Sequence, residues 1–432
     1  MTAAGNGPRI AGFPLLYVAM FVMATGNLAM ISLFPAIARS SGIPDVAMVA
    51  VQSVSAGLSI LAMPYWAARS DRIGRKQVIL IGIAGFTLAS ALTAGAIFAA
   101  VHRLVPVVAG VAALIGSRAV FGSVGLASAP AIQAHIADET LPGQRTEALA
   151  SIYSAQGLGS IVGPGVAPFL ILPWVGLSGP LITFTIIGAL VLVAAAWRLP
   201  RTGVRVPAAT DRPRGKWATL RLSSVWPFVA YLAVLSGCQA ASLQMLGFVV
   251  IDRLRLAPLA AQPLAGAAMM LGAAAAVTVQ LGIMRLIRAS PNRLMLAGGL
   301  LMVLGNVVMA VAGSYALVVL AFIMTSAGGA FGMPAAASGA SLANTGDSQG
   351  AVAGMTSAAL GSGLLIAPVI AMIIYRHSDA AAFLGLAAAL VIALMALLPR
   401  VGRCLATAVP NSASTTALAG LERRGHSAGS IE

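Results

Sequence analysis

The chain has 432 residues, of which 59% are hydrophobic and only 9% charged, with a formal net charge of +15. With a mean hydropathy of +0.94, this balance excludes an ordinary soluble domain and points to a protein built from membrane-spanning helices. The positive charge does not imply nucleic acid, because the arginines flank apolar segments, where they set orientation and meet anionic headgroups.

A span needs about 20 apolar residues. Apolar length places twelve helices along the chain, at about 13–37, 45–67, 78–101, 105–137, 146–171, 177–198, 224–250, 260–287, 293–313, 315–341, 349–375 and 380–398. This gives an all-α integral membrane protein of two six-helix bundles, 1–198 and 224–398. Between them, residues 199–223 carry Arg201, Arg205, Arg212, Arg214, Lys216 and Arg221 with three prolines, and read as a basic cytosolic linker. The Ser-, Thr- and Ala-rich stretch 399–432 reads as a disordered cytosolic tail. The start of the chain, up to Phe13, lacks signal-peptide order, so the first apolar stretch is expected to stay as a span. Cys238 falls in a span and Cys404 in the tail, so no disulfide is expected.

Loop charge orients the map. With both termini inside, the inner connections hold most of the cations and the outer ones only Arg39, Arg103, Arg253, Arg255 and Arg376. The densest cluster is Arg69-Ser70-Asp71-Arg72-Ile73-Gly74-Arg75-Lys76, between the second and third helices. A topology signal needs only cations, so Asp71 implies a structural role. An internal repeat supports the two halves. A shift of 204 positions brings Pro130 onto Pro334, Pro164 onto Pro368, Gly125 onto Gly329, Gly157 onto Gly361 and Gly159 onto Gly363. Related halves with a site at their interface are a recurrent transporter plan.

These residues resemble the major facilitator superfamily, and within it the twelve-helix drug:proton antiporter branch. Asp71-Arg72-Ile73-Gly74-Arg75-Lys76 is similar to the family signature between helices 2 and 3, with Ala67 where Gly is usual and Arg69 where Leu is usual. Ser117-Arg118-Ala119-Val120-Phe121-Gly122 resembles the helix 4 signature. Ile136-Ala137-Asp138 with Gly143-Gln144-Arg145 resembles the following turn. Gly159-Ser160-Ile161-Val162-Gly163-Pro164 resembles the helix 5 signature associated with antiport, with Ala167-Pro168 in place of the usual Gly-Gly ending. By this resemblance, helices 1, 4, 7 and 10 line the cavity. Its polar members are then Asn27, Arg118, Gln239, Gln244 and Thr325, beside the apolar Met245 and Phe331.

The residues themselves suggest roles. Asp71, with Gly74 free to take a positive φ, is expected to accept hydrogen bonds at the start of helix 11, near Ser348 to Gly350. Arg75 is expected to pair with Asp138, and both contacts would hold the halves together on the cytosolic side. Gly159, Gly163 and Pro164, with Gly363 and Pro368, allow close packing and bending at the interface. Arg118 is the one cation set well inside a span. It should face the interior, either as an electrostatic element of the cavity or as a structural arginine satisfied by helix 1 carbonyls. All eleven acids fall at helix ends, in loops or in the tail, so no deep carboxylate can carry a proton. His135 is the best-placed titratable alternative.

No phosphate-cradling loop and no metal-ligand cluster occurs, which argues against an enzyme and against any cofactor. The expected protein is a secondary transporter in a bacterial inner membrane, multi-pass and monomeric. It would move a small amphipathic organic solute by alternating access, with efflux the favoured direction. Its partners are the bilayer, the solute and, as a candidate coupling ion, the proton; nucleic acid is excluded. The alternatives are a proton-independent facilitator or siderophore/metabolite transporter, and a non-transporting receptor on the same scaffold.

Overall fold

The computed structural model describes residues 12–140, 142–200, 222–283, 290–343 and 349–407. Six helices form the first bundle: α1 Phe13–Ser41, α2 Asp45–Ile73, α3 Arg75–Val101, α4 Val107–Glu139, α5 Pro142–Val166 and α6 Gly179–Arg198. Six more form the second: α7 Leu222–Leu254, α8 Pro258–Thr278, α9 Pro291–Val311, α10 Tyr315–Leu342, α11 Gln349–Tyr375 and α12 Asp379–Thr407. Among the described residues no strand occurs; the only β feature is a single bridge between Leu172 and Gly176.

Eleven of the twelve are long and apolar enough to cross a membrane. The exception is α5, whose first half carries Gln144, Arg145, Glu147, Ser151 and Gln156. It lies along α1 and against α8 of the other bundle. Gly159 and Gly163 bring it onto α1. A Cβ at Gly159 would strike the Phe21 carbonyl and the Thr25 amide, and one at Gly163 would strike the Thr25 carbonyl and the Ala29 amide. Lipid tails give no hydrophobic drive between helices, so such small-residue contacts hold them together.

Three details depart from the expected map. The basic cluster is not an open loop. Helix α2 runs through Asp71 and Arg72 to Ile73, α3 starts at Arg75, and the reversal is carried by Gly74 alone at φ 97° and ψ 146°. Helix α4 is interrupted by a π turn at Phe121–Gly125, and α8 passes into another at Val279–Ile283. Helix α12 continues through Pro399 to Thr407, into the segment expected to be a disordered tail. The rest of that tail and nearly all of the basic linker lie outside the described residues.

The Gly74 turn and its neighbours mark the basic end of the molecule. Between the bundles, α2 packs on α11, α5 on α8, and α1 on α7 and α8. Among the described residues, side-chain ties cross this interface toward the opposite end. Arg39 at the end of α1 bonds Asp252 near the end of α7 at 3.0 Å, and Gln262 of α8 donates to Ser32 of α1 at 3.2 Å. Pro35 sits against Gly247, and the Pro164 carbonyl against Gly266.

Candidate functional site

Arg118 is the centre of the first bundle's polar interior. It is 3% exposed, on the last turn of α4 before the π turn. Gly122 presses α4 against the Ser55 backbone of α2, which brings Ser55 within reach. The guanidinium donates from Nη2 to Asn27 Oδ1 at 3.1 Å and to Ser55 Oγ at 3.3 Å. Its Nη1 reaches only the thioether of Met30 at 3.6 Å. The Phe121 ring lies 4.4 Å from the guanidinium carbon, a cation–π distance set by the widened turn. Among the described residues no carboxylate pairs with Arg118, and its Nε has no hydrogen-bond partner. Its partners are side chains of α1 and α2, not the helix 1 carbonyls.

The other proposed cavity residues are not gathered around it. Thr325 is buried and donates to the Ala321 carbonyl of its own helix, facing Gly305 of α9 inside the second bundle. Gln239 of α7 lies against Gly329 of α10, and its Oε1 is buried without a partner. Gln244 is buried at 8% exposure, also with an unpartnered Oε1. Met245 is fully buried. Asn27 alone joins Arg118. Sequence reading missed Ser55, Gln52 with its unpartnered Oε1, and the Ser32–Gln262 tie, since their partners lie on helices distant in the chain.

At the basic end, Arg75 binds Asp138 at 3.1 Å, as its charge suggested. It also pairs with Asp71 at 2.6 Å, one helical turn away, and donates to Ser70 Oγ. One expectation is corrected here. Arg75 and Asp138 both belong to the first bundle, so their bond does not tie the halves. Asp71 pairs with Arg75; its expected contact near Ser348 to Gly350 falls on a segment whose residues 344–348 lie outside the described residues. Gly74 takes the expected positive φ. Lys76 has a role the sequence did not reveal: its Nζ caps α6, bonding the Ala196 carbonyl at 2.8 Å and the Leu199 carbonyl at 2.5 Å. Arg145 similarly donates to the Ala137 carbonyl at the end of α4, at 2.8 Å.

His135 is 2% exposed and neither ring nitrogen has a hydrogen-bond partner. Gly363 packs on α7 against the Ala233 carbonyl, Ser236 and the Gly237 amide, and Pro368 lies inside α11. Among the described residues no group of His, Cys, Asp and Glu could hold a metal ion.

At the end opposite Gly74, charges join both bundles. Arg39 bridges Asp45 at 2.9 Å and Asp252 at 3.0 Å, and the Tyr375 hydroxyl donates to Asp252 at 3.0 Å. Arg253 pairs with Asp379 at 2.9 Å and caps α9 through the carbonyls of Met309, Ala310 and Ala312.

A family model for the Major Facilitator Superfamily matches residues 16–294. The chain belongs to that superfamily. Its members are transporters, so the twelve helices form a transporter scaffold and not an enzyme. Solved major facilitator structures share the fold. The human organic anion transporter MFSD10 (TETRAN) is 18% identical with a TM-score of 0.63, covering 91% of this chain and all (100%) of that one. The nucleoside transporter NupG, solved as a point mutant, is 11% identical with a TM-score of 0.74, covering 90% of this chain and 99% of that one. In sequence, the chain is similar to a triacylglyceride transporter of Mycolicibacterium hassiacum, 33% identical over 112 residues. That match takes in 26% of this chain and 19% of the relative, so it spans about a fifth of the relative's length.

Proposed function

We propose that this major facilitator moves a small amphipathic or largely apolar organic solute by alternating access, with export as its direction. The observation that carries the reading is a set of ties between the bundles at one end. The side-chain hydrogen bonds between the bundles, Arg39–Asp252 and Ser32–Gln262, lie toward the end opposite the Gly74 turn. At the basic end, Arg75 pairs with Asp71 and with Asp138 of its own bundle. A rocking pair of bundles tied at one end is one arrested stage of such a cycle. The arginine bias of the loops supports an orientation with the basic end and both termini in the cytoplasm of a bacterial inner membrane. In that orientation the tied end is the outer one.

The chemistry of the solute is read from what surrounds the interface. The polar groups available there are neutral amides and hydroxyls with one arginine, against abundant Met, Phe and Ala. A cargo rich in charge would need more paired polar groups than these. The triacylglyceride named for the mycobacterial relative agrees with an apolar cargo. A second reading, transport without proton coupling, is favoured because the described spans hold no acid away from their ends. His135 is then the remaining proton candidate.

One experiment tests both readings. The purified protein is reconstituted into proteoliposomes, and flux of a fluorescent amphiphile is followed with and without an imposed pH gradient. Amphiphile flux that rises with the gradient supports coupled export, and gradient-independent flux supports the facilitator. No flux of amphiphile under either condition overturns the proposed cargo. Cysteine labelling at Ala209 in intact cells tests the orientation, and labelling from outside would reverse it.

A further inference from the structure

Among the described residues no carboxylate pairs with the buried Arg118, which leaves its charge unbalanced, and a small cavity lies beside it. The cavity has a volume of about 10 Å³ and sits between α1, α3, α4 and α6. Asn27, Met30, Ser90, Thr93, Arg118 and Phe121 are among its walls. That volume holds one water molecule or one monatomic ion and nothing larger.

The lining groups present donors and few acceptors. Nη1 of Arg118 has only the Met30 sulfur as a partner. Asn27 commits its Oδ1 to Arg118, which leaves its amide NH₂ at the other end of the group, and that NH₂ has no acceptor among the described residues. Ser90 is 6% exposed, and its hydroxyl makes no hydrogen bond among the described residues. Thr93 is already engaged with the Ala89 carbonyl and the Ser117 hydroxyl. Donors without an acceptor among the described residues, on residues lining a cavity beside a desolvated cation, are the chemistry of an anion site. A water molecule would satisfy the donors but leave the charge unbalanced, and an unpaired buried charge is costly in a low-dielectric interior. The Phe121 face offsets part of that cost and not all of it.

We propose that the Arg118 cavity binds a chloride-sized monovalent anion as the counter-ion of the buried guanidinium, held by Arg118, Asn27 and Ser90. The anion locks α1, α3 and α4 of the first bundle together. This holds whatever the transported solute is, so its test needs no substrate.

The full-length protein in detergent is unfolded thermally in chloride, bromide and gluconate at equal ionic strength. The midpoint is expected to rise saturably with chloride and bromide and to stay flat with gluconate, which is too large for the cavity. Ser90→Ala removes one hydrogen bond to the charged guest and is expected to raise the half-saturating chloride concentration about tenfold. Arg118→Gln is expected to abolish the halide response. Should Arg118→Gln fail to fold, Ser90→Ala and the anomalous signal of bromide decide the matter, with a peak expected between Ser90 and Arg118. Equal midpoints in chloride and gluconate overturn the proposal. So does a halide response that Ser90→Ala leaves unchanged, or a cavity that holds scattering without a bromide signal, which identifies water.

Discussion

In the first bundle, a Cβ at Gly159 would meet the Phe21 carbonyl, Ala24 and the Thr25 amide. In the second, a Cβ at Gly363 would meet the Ala233 carbonyl, Ser236 and the Gly237 amide. These are the same successive positions of the facing helix, so α1–α5 and α7–α11 are one seam built twice. The match makes Asn27 and Gln239 equivalent, each two residues past the amide contact. The 204-residue repeat makes Arg118 equivalent to Phe322. Here the bundles part. Arg118 reaches Ser55 of α2 and Asn27 of α1. Phe322 instead packs on Gly272 of α8, and Gln239 keeps an unpartnered oxygen. Backbone packing is repeated because both bundles must bring helices close without a hydrophobic drive. Charge is not repeated, because each buried ion carries its own desolvation cost. The second bundle fills the position with carbon.

The largest expected effect tests the shared seam. Gly159→Val and Gly363→Val should both lose folded protein in size-exclusion profiles, because each Cβ would strike backbone of the facing helix. A Gly363 variant that folds normally would break the equivalence of the two seams.

Next comes the asymmetric position. Arg118→Ala should reduce flux at least about tenfold, since each hydrogen bond to a charged group is worth roughly 1.5–3 kcal/mol. Arg118→Lys should fail to rescue it, because lysine keeps the charge but not the planar fork that reaches Asn27 and Ser55 together. Phe322→Leu, the matched change in the other bundle, should keep flux and lower the unfolding midpoint modestly. Rescue by lysine would reduce Arg118 to a simple counter-charge. Loss of folded protein in both Arg118 variants would make it a structural arginine.

A smaller effect is expected at the charged tie. Arg39 and Asp252 are each about a third exposed, at 36% and 34%, so the pair is screened and worth at most about 1 kcal/mol. Asp252→Asn should raise thiol labelling of a cysteine at Pro35 a few-fold, as the bundles part more often at that end. Unchanged labelling would show that Ser32–Gln262 and the remaining packing hold the end closed without the charged pair.

The smallest effect is at Thr325, whose hydroxyl bonds only its own helix. Thr325→Val should leave amphiphile flux unchanged within error. A marked loss would return Thr325 to the cavity, where its helix suggested it.

Much of this was legible in the chain. The twelve segments followed from apolar length, and the Arg75–Asp138 pair and the Gly74 turn followed from residue type and spacing. What failed concerned partners. For Asp71, the sequence reading did not show Arg75, one turn along, as its partner. Thr325 shares a helix with the expected cavity residues but lies on the face turned to α9. The Lys76 cap on α6 joins residues 120 and 123 positions apart, a relation no local pattern encodes.

The sequence by itself determined the membrane class, the two halves and the small-residue seams. These depend on composition along a helix, and the bilayer demands apolar length and internally satisfied backbone from any spanning segment. Only the tertiary structure decided which polar groups meet. It set Ser55 beside Arg118, Gln262 beside Ser32 and Asp252 beside Arg39. Those pairings depend on how helices far apart in the chain rotate and cross. Rotating a helix by one residue turns its side chains about 100° without changing its hydropathy, so the choice is made by packing and not by composition.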